Sequence, residues 1–201
     1  MNSSEGRPID IQALHQPSFE VSTIVYRRAV ATRRRAQRMA AAHEETNSTE
    51  RRLREIDAVL ETIVLTQAAC EAWIYFAYRH TKVEPEKGGG WVQRWIDAPR
   101  LICDPRRPTG QPPSRELDQA TIEALRRLSA WRNFLLHGDD RARKYLAKFI
   151  DQDPDVRLLT AALAEQTIDW ADHAFTDLGS LLGVHGVIGL NSAHLWVGYD
   201  E

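Results

Sequence analysis

Cysteine is scarce in this sequence, which limits the folds and sites that the chain can form. Cys70 and Cys103 are the two cysteines among 201 residues, too few for a disulfide framework or a four-ligand zinc site. Cys70 lies in an apolar helical stretch and is expected to be a small core residue. We therefore expect a protein of a reducing compartment, by default the cytoplasm.

The sequence also has little that indicates export or a membrane. It begins without a charged-then-apolar leader, and we find no apolar run of about 18 residues or more. Hydrophobic residues make up 43% and charged residues 27% of the chain, as in ordinary soluble proteins. A chain of 201 residues is long enough to bury a core as one domain.

An excess of positive charge is missing as well. The formal net charge is −2, so any nucleic-acid binding must come from a local patch rather than from the chain as a whole. The candidate patch lies in the segment 20–43 and contains Arg27, Arg28, Arg33, Arg34, Arg35 and Arg38. These arginines either form a solvated helix face or attract phosphates without reading bases.

Familiar cofactor, metal and nucleophile motifs are absent or incomplete. Gly88-Gly89-Gly90 lacks the Lys-Ser/Thr of a phosphate loop, and His43-Glu44-Glu45 has no second histidine four residues after the first. Asp169 and His173 are four residues apart, and we interpret them as a surface ion pair because no strand–turn–helix element presents a nucleophile. We expect neither a metal nor a cofactor.

Apolar residues recur at intervals of three and four along most of the chain, which predicts helices. The longest pattern follows a capping-box signal at Asn47–Glu50 and continues to about His80. Prolines predict an exposed loop at 104–114. The predicted helices cover 20–43, 48–80, 91–102, 114–137, 139–150 and 154–182. The sequence thus predicts an all-α protein, an up-and-down helical bundle of four to five main helices with extra short helices.

The chain divides into one domain and two flanking segments. Residues 1–18 are polar and broken by Pro8 and Pro17, and we interpret them as a flexible N-terminal arm. Residues 19–184 form the helical domain. Residues 185–201 carry apolar residues among glycines and are expected to form a C-terminal tail packed on the bundle.

The candidate site is the string from Arg132 to Gly138, which ends the predicted helix 114–137. Gly138 suits the left-handed turn after a helix, and His137 falls in the last turn, where the helix dipole attracts positive charge. On a helical wheel Arg132 lies at the edge of the apolar seam, whereas Asn133 and His137 face outward. Glu71 lies at the margin of the longest apolar face and needs a partner, either a surface arginine or Arg132.

With its Arg-Asn-x3-His string at the end of a late helix, this all-helical chain resembles the HEPN superfamily, in its Arg-x4-His form. The segment Ala68-Ala69-Cys70-Glu71-Ala72-Trp73-Ile74 is similar to an earlier helix of that family, which often bears a Glu. The resemblance covers residues 20–182. It implies catalytic roles for Arg132, Asn133 and His137, with Glu71 in support.

Many members of this family are metal-independent endoribonucleases that act as toxins or in antiviral defence. The resemblance therefore implies RNA as substrate, a homodimer that supplies His137 twice, and an antitoxin or defence partner protein. Some relatives carry a Tyr two residues after the His, where a partner modifies them; Asp139 stands here instead. The alternative interpretation is a non-catalytic helical module that binds nucleotides or RNA, or a protein-interaction module.

Overall fold

The computed structural model describes residues 17–46, 48–103, 116–150 and 152–181, and this part of the chain is helical with no strand. The all-α fold class is therefore confirmed. The elements are α1 (Pro17–Thr46), α2 (Thr49–Thr81), α3 (Trp91–Ala98) with a π-helical turn (Pro99–Cys103), α4 (Gln119–His137), α5 (Asp140–Leu146), a 3-10 turn (Val156–Leu158) and α6 (Ala161–Leu181).

The first two helices form a long antiparallel hairpin. Ser22 Oγ donates to the carbonyl oxygen of Ala69 at 3.0 Å, and Thr62 Oγ1 donates to Thr32 Oγ1 at 3.0 Å. As the residue number rises along α1, the paired residue number falls along α2. Small and hydroxyl-bearing side chains at these contacts let the two backbones approach closely, with their own hydrogen bonds satisfied.

Two further hydrogen bonds give the directions of α4 and α6. Ala161 N, at the start of α6, donates to Glu55 Oε1 in the first turns of α2 at 2.9 Å. Asp118 N, just before α4, donates to Asp177 Oδ2 in the last turns of α6 at 2.8 Å. Consequently α2 and α6 run one way and α1 and α4 the other, an up-and-down bundle. We call the end where α1 and α4 finish and α2 and α6 begin the site end.

Aromatic side chains fill the centre of the core. Trp73 and Trp95 stack with ring centroids 5.4 Å apart, and Phe175 lies within 6.0 Å of both. Trp95 Nε1 donates to the carbonyl oxygen of Cys70 at 3.2 Å. Cys70 is fully buried, and burial raises the pKa of its thiol. Cys70 is thus a core residue, as its sequence context predicts.

Two carboxylates inside the bundle join helices. Glu55 is 4% exposed and accepts from Arg52 Nη1 at 2.6 Å as well as from Ala161 N. Asp172 accepts from Tyr26 Oη at 2.6 Å. Burial raises the pKa of Asp172, while the Tyr26 hydrogen bond acts in the opposite direction. Both groups are committed to structure and are not available to a substrate.

By length and composition, the stretch Thr49–Arg79 of α2 is apolar enough to cross a membrane. Our expectation of no such run was therefore wrong for this helix. However, 56% of its most apolar window is buried inside the bundle, where the aromatic core and α1, α4 and α6 cover it. Such burial is typical of a core helix in a globular bundle.

Several helix boundaries differ from the predicted ones for local reasons. α1 begins at Pro17, inside the predicted arm. α4 begins at Gln119 rather than near residue 114, because Asp118 is its N-cap and accepts from Ala120 N at 3.2 Å. α2 is capped by Ser48, without a side-chain hydrogen bond. Asn47, the rest of the arm, the loop 104–114 and the tail 185–201 lie outside the described residues.

The predicted helices 139–150 and 154–182 are also shorter. α5 ends at Leu146 and is followed by turns, and α6 begins at Ala161 rather than at Pro154. Asp155 instead caps the intervening 3-10 turn, where its side chain accepts from Arg157 N at 2.9 Å. Proline and Asp therefore mark a turn here and not the first turn of the long helix.

Candidate functional site

The end of α4 has the geometry that its sequence predicts. Gly138 adopts a left-handed conformation with φ of 60°, and its N–H donates to the carbonyl oxygen of Phe134 at 2.9 Å. A side chain with a Cβ is strained in this conformation, which explains the glycine. Asp139 caps α5 by accepting from Ala142 N at 2.7 Å. The chain thus turns sharply after His137, and α5 packs against α4.

Arg132 is half-buried and is held by its neighbour. Its Nη1 donates to Asn133 Oδ1 at 3.1 Å, and no carboxylate of the described residues lies within ion-pair distance of it. Eight other arginines of the described part pair with carboxylates: Arg28, Arg35, Arg52, Arg54, Arg100, Arg127, Arg143 and Arg157. The positive charge of Arg132 is therefore oriented by an amide but not neutralised.

His137 is exposed in the last turn of α4. Asn133 precedes it by one turn and so lies beside it on the helix. Asn133 is half-buried, so it faces outward less than the wheel predicts, whereas His137 is exposed as predicted. The structure pairs Asn133 with Arg132 rather than with His137. All three residues lie in the last two turns of α4 at the site end, but Arg132 and His137 are five residues apart and therefore about 140° apart around the helix axis.

The structure does not bring Glu71 to Arg132. Glu71 is half-buried in the second half of α2 and makes no ion pair with any described residue. Because α2 and α4 are antiparallel, the second half of α2 lies beside the beginning of α4, whereas Arg132 lies near its end. A helical wheel predicts the face of α2 on which Glu71 lies, but it does not predict which turns of α2 and α4 lie beside each other.

The arginines of α1 are only in part available to a ligand. Glu61 of α2 accepts from Arg28 Nε at 3.1 Å and lies 3.9 Å from Arg35 Nη1. These contacts fasten α1 to α2 and neutralise part of the predicted phosphate-binding patch. Arg38 is exposed, whereas Arg27 and Arg34 also make interactions.

His173 pairs with Asp118 and not with Asp169, the partner that the sequence predicts. His173 Nε2 lies 3.5 Å from Asp118 Oδ2, at the start of α4. The pair thus ties α6 to α4 across the bundle instead of bridging one turn of α6. This contact is structural, as the sequence analysis expects for His173, and it lies at the opposite end of the bundle from His137.

The sequence interpretation missed a second set of polar residues beside the site. Arg141, Lys144, Tyr145 and Lys148 are all exposed on α5 and its following turn. Arg141, Lys144 and Tyr145 are three and four residues apart and so share one face of the helix, and this spacing after Gly138 could have indicated the surface. Arg143 points elsewhere, since it pairs with Asp153 at 3.2 Å and donates to the Pro154 carbonyl oxygen at 3.0 Å.

A depression of about 260 Å³ lies on another side of α4. Aromatic rings and amides line it, together with two arginines whose partners are Glu123 and Asp155. Arg132, Asn133 and His137 are not among its lining residues. The candidate site therefore lies outside this depression, and a second surface would be needed to turn it into a cleft.

No group of three or more His, Cys, Asp or Glu side chains within the described ranges could hold a metal ion. Comparison of the chain with protein-family models, with curated proteins and with solved structures gives no match.

Proposed function

We propose that the protein is a metal-independent endoribonuclease of the HEPN type, which cleaves RNA at a cleft shared by two copies of the chain. The observation that carries this proposal is the open site at the end of α4. There the guanidinium of Arg132 is held by the side-chain amide of Asn133, and no described carboxylate neutralises it. The exposed imidazole of His137 follows five residues later on the same helix. A cation and a proton carrier at the end of one helix suit the cleavage of a phosphodiester.

The chemistry of RNA explains why these two groups suffice. The 2′-hydroxyl of RNA attacks the adjacent phosphorus, so the protein need not supply a nucleophile. A base takes the hydroxyl proton, an acid gives a proton to the departing 5′-oxygen, and the products are a 2′,3′-cyclic phosphate and a 5′-hydroxyl. Imidazole serves both proton transfers because it titrates near neutrality. The planar fork of Arg132 matches the phosphate oxygens and balances charge on the phosphorane.

A second copy of the chain solves a geometric problem of this reaction. One imidazole cannot serve as base and acid on opposite sides of the phosphorus, whereas a homodimer presents His137 twice. Apolar surface beside the site supports this arrangement. Leu136, next to His137, is 52% exposed, and Leu53 at the start of α2 is 57% exposed. Both lie at the site end, where a partner copy would convert the open surface into a groove.

The test is cleavage of a mixture of structured and unstructured RNAs by the purified chain at neutral pH with excess chelator. We expect fragments with 2′,3′-cyclic phosphate and 5′-hydroxyl ends, because the nucleophile belongs to the RNA. The same RNAs with 2′-O-methyl groups should stay intact and serve as the control. Intact RNA under all conditions, or fragments with 5′-phosphate ends, would count against the proposal.

A non-catalytic RNA-binding or protein-interaction module is the second candidate. It is favoured by the apolar stripe Leu53, Val64 and Tyr75, which are exposed on α2 at intervals of eleven residues and so on one side of the helix. Such a module would bind RNA or a partner without cleaving.

As a nuclease, the protein would act in the cytoplasm as a toxin or in phage defence, with an antitoxin or defence partner to restrain it.

A further inference from the structure

The outer face of α5 combines positive charge with an aromatic ring. Arg141, Lys144 and Tyr145 lie within about 100° of one another around the helix axis, given 100° per residue, and Lys148 lies in the turn that follows the helix. All four side chains are exposed. We call these four residues the α5 face. It begins four residues after His137 and therefore borders the candidate site.

The three cations of the α5 face have no acidic partner in the described part of the chain. This distinguishes them from the eight arginines that pair with carboxylates, one of which is Arg143 on the other side of the same helix. Asp139, the nearest acid before α5, is engaged as its N-cap. Asp140 is the remaining acid on α5, so the helix surface carries a net positive charge that is free to meet an anion.

Tyr145 provides a rigid, partly exposed ring between these cations. It is 36% exposed, and Phe149 packs against it edge to face with ring centroids 5.3 Å apart. Lys148 Nζ lies 5.9 Å from the centre of the Tyr145 ring. A ring fixed in this way loses little conformational freedom when a flat ligand stacks on it.

We propose that the α5 face binds single-stranded RNA, with Arg141, Lys144 and Lys148 on phosphates and Tyr145 stacked on a base. Cations that follow a backbone and an aromatic ring that stacks are the recurrent features of single-strand binding. The inference rests on the proposed function for its direction, because a strand lying on α5 would pass His137. It places substrate binding mainly on α5 rather than on the α1 arginines.

The test separates binding from cleavage by using the His137→Ala protein as the background. We measure its affinity for a short, unstructured, fluorescent RNA by anisotropy at several salt concentrations. Lys144→Glu should weaken binding about tenfold at low salt. It should also reduce the salt slope, which is the slope of the logarithm of the binding constant against the logarithm of the salt concentration, by about 0.7 for each phosphate that the protein no longer neutralises. Tyr145→Ala should weaken binding about tenfold with little change in salt slope.

Lys87→Glu is the matched control, since Lys87 is exposed in the turn after α2, at the opposite end of the bundle. This variant changes net charge as Lys144→Glu does, and its affinity should stay within about twofold of the background. Equally weakened binding in both variants would show a nonspecific charge effect and overturn the inference. Binding to anionic lipid vesicles that depends on Lys144, without binding to RNA, would overturn it too.

The outcomes distinguish this inference from the proposed function. Cleavage is measured with the same two substitutions in the otherwise wild-type chain. If the wild-type chain cleaves RNA, and Lys144→Glu and Tyr145→Ala leave both RNA binding in the His137→Ala background and cleavage in the wild-type background unchanged, the α5 assignment fails and the nuclease stands. If both variants lose binding but the wild-type chain never cleaves, the α5 assignment stands and the nuclease fails. Loss of both binding and cleavage in the two variants supports both.

Discussion

The His137→Ala protein is expected to fold as the wild type does and to cleave RNA about 10²–10⁴-fold more slowly. The imidazole is exposed at the end of α4, so its removal opens no cavity in the core. The substitution instead removes the base and the acid from a site that depends on two copies of this residue. Initial cleavage rates, measured with circular dichroism and thermal unfolding on the same samples, test both parts.

His173→Ala is the matched control for this prediction. It also removes an exposed imidazole, but at the opposite end of the bundle beside Asp118. This variant should cleave RNA at the wild-type rate. Wild-type cleavage by His137→Ala would refute its catalytic assignment, and unfolding of His137→Ala would show that the residue is structural.

Replacement of Arg132 by alanine is expected to lower cleavage about 10²–10³-fold, the usual loss when one donor to a developing oxyanion is removed. The free energy of unfolding should change by no more than about 1 kcal/mol, because within the described part of the chain Arg132 makes one polar interaction, the hydrogen bond to Asn133. Arg132→Lys should retain part of the activity, since lysine keeps the charge but not the planar fork.

Arg28→Ala provides the comparison for Arg132. Arg28 pairs with Glu61, and its exposed position makes the pair worth little to stability. Its removal should leave cleavage within about twofold of wild type. If Arg132→Ala unfolds the chain, or if Arg132→Ala and Arg28→Ala lower cleavage equally, Arg132 has no special role at the phosphate.

The helices could be predicted because their apolar residues repeat at one period over many turns. The end of α4 was predicted best, because the turn depends on the backbone preference of a single residue, Gly138, and the structure has the left-handed conformation there. The start of α4 was not predicted, since the proline-rich stretch before it offers several cap residues. Asp118 is the one that the fold uses.

The placement of residues relative to one another could be predicted only within a helix. Neighbours such as Asn133 and His137 follow from spacing alone. Glu71 and Arg132 belong to different helices, and the height at which two helices meet depends on connections and core packing that periodicity does not contain. The partners of His173 and Arg28 were missed for the same reason, because Asp118 and Glu61 come from other parts of the chain.

The mixing of two kinds of subunit tests the shared site most directly. Wild-type and His137→Ala chains are co-expressed in varied ratios, and cleavage is measured at constant total protein concentration. If each site needs an imidazole from both copies, activity falls with the square of the wild-type fraction, to about one quarter in an equal mixture. Activity that falls in direct proportion to the wild-type fraction, or a pure wild-type protein that leaves RNA intact, would contradict the account.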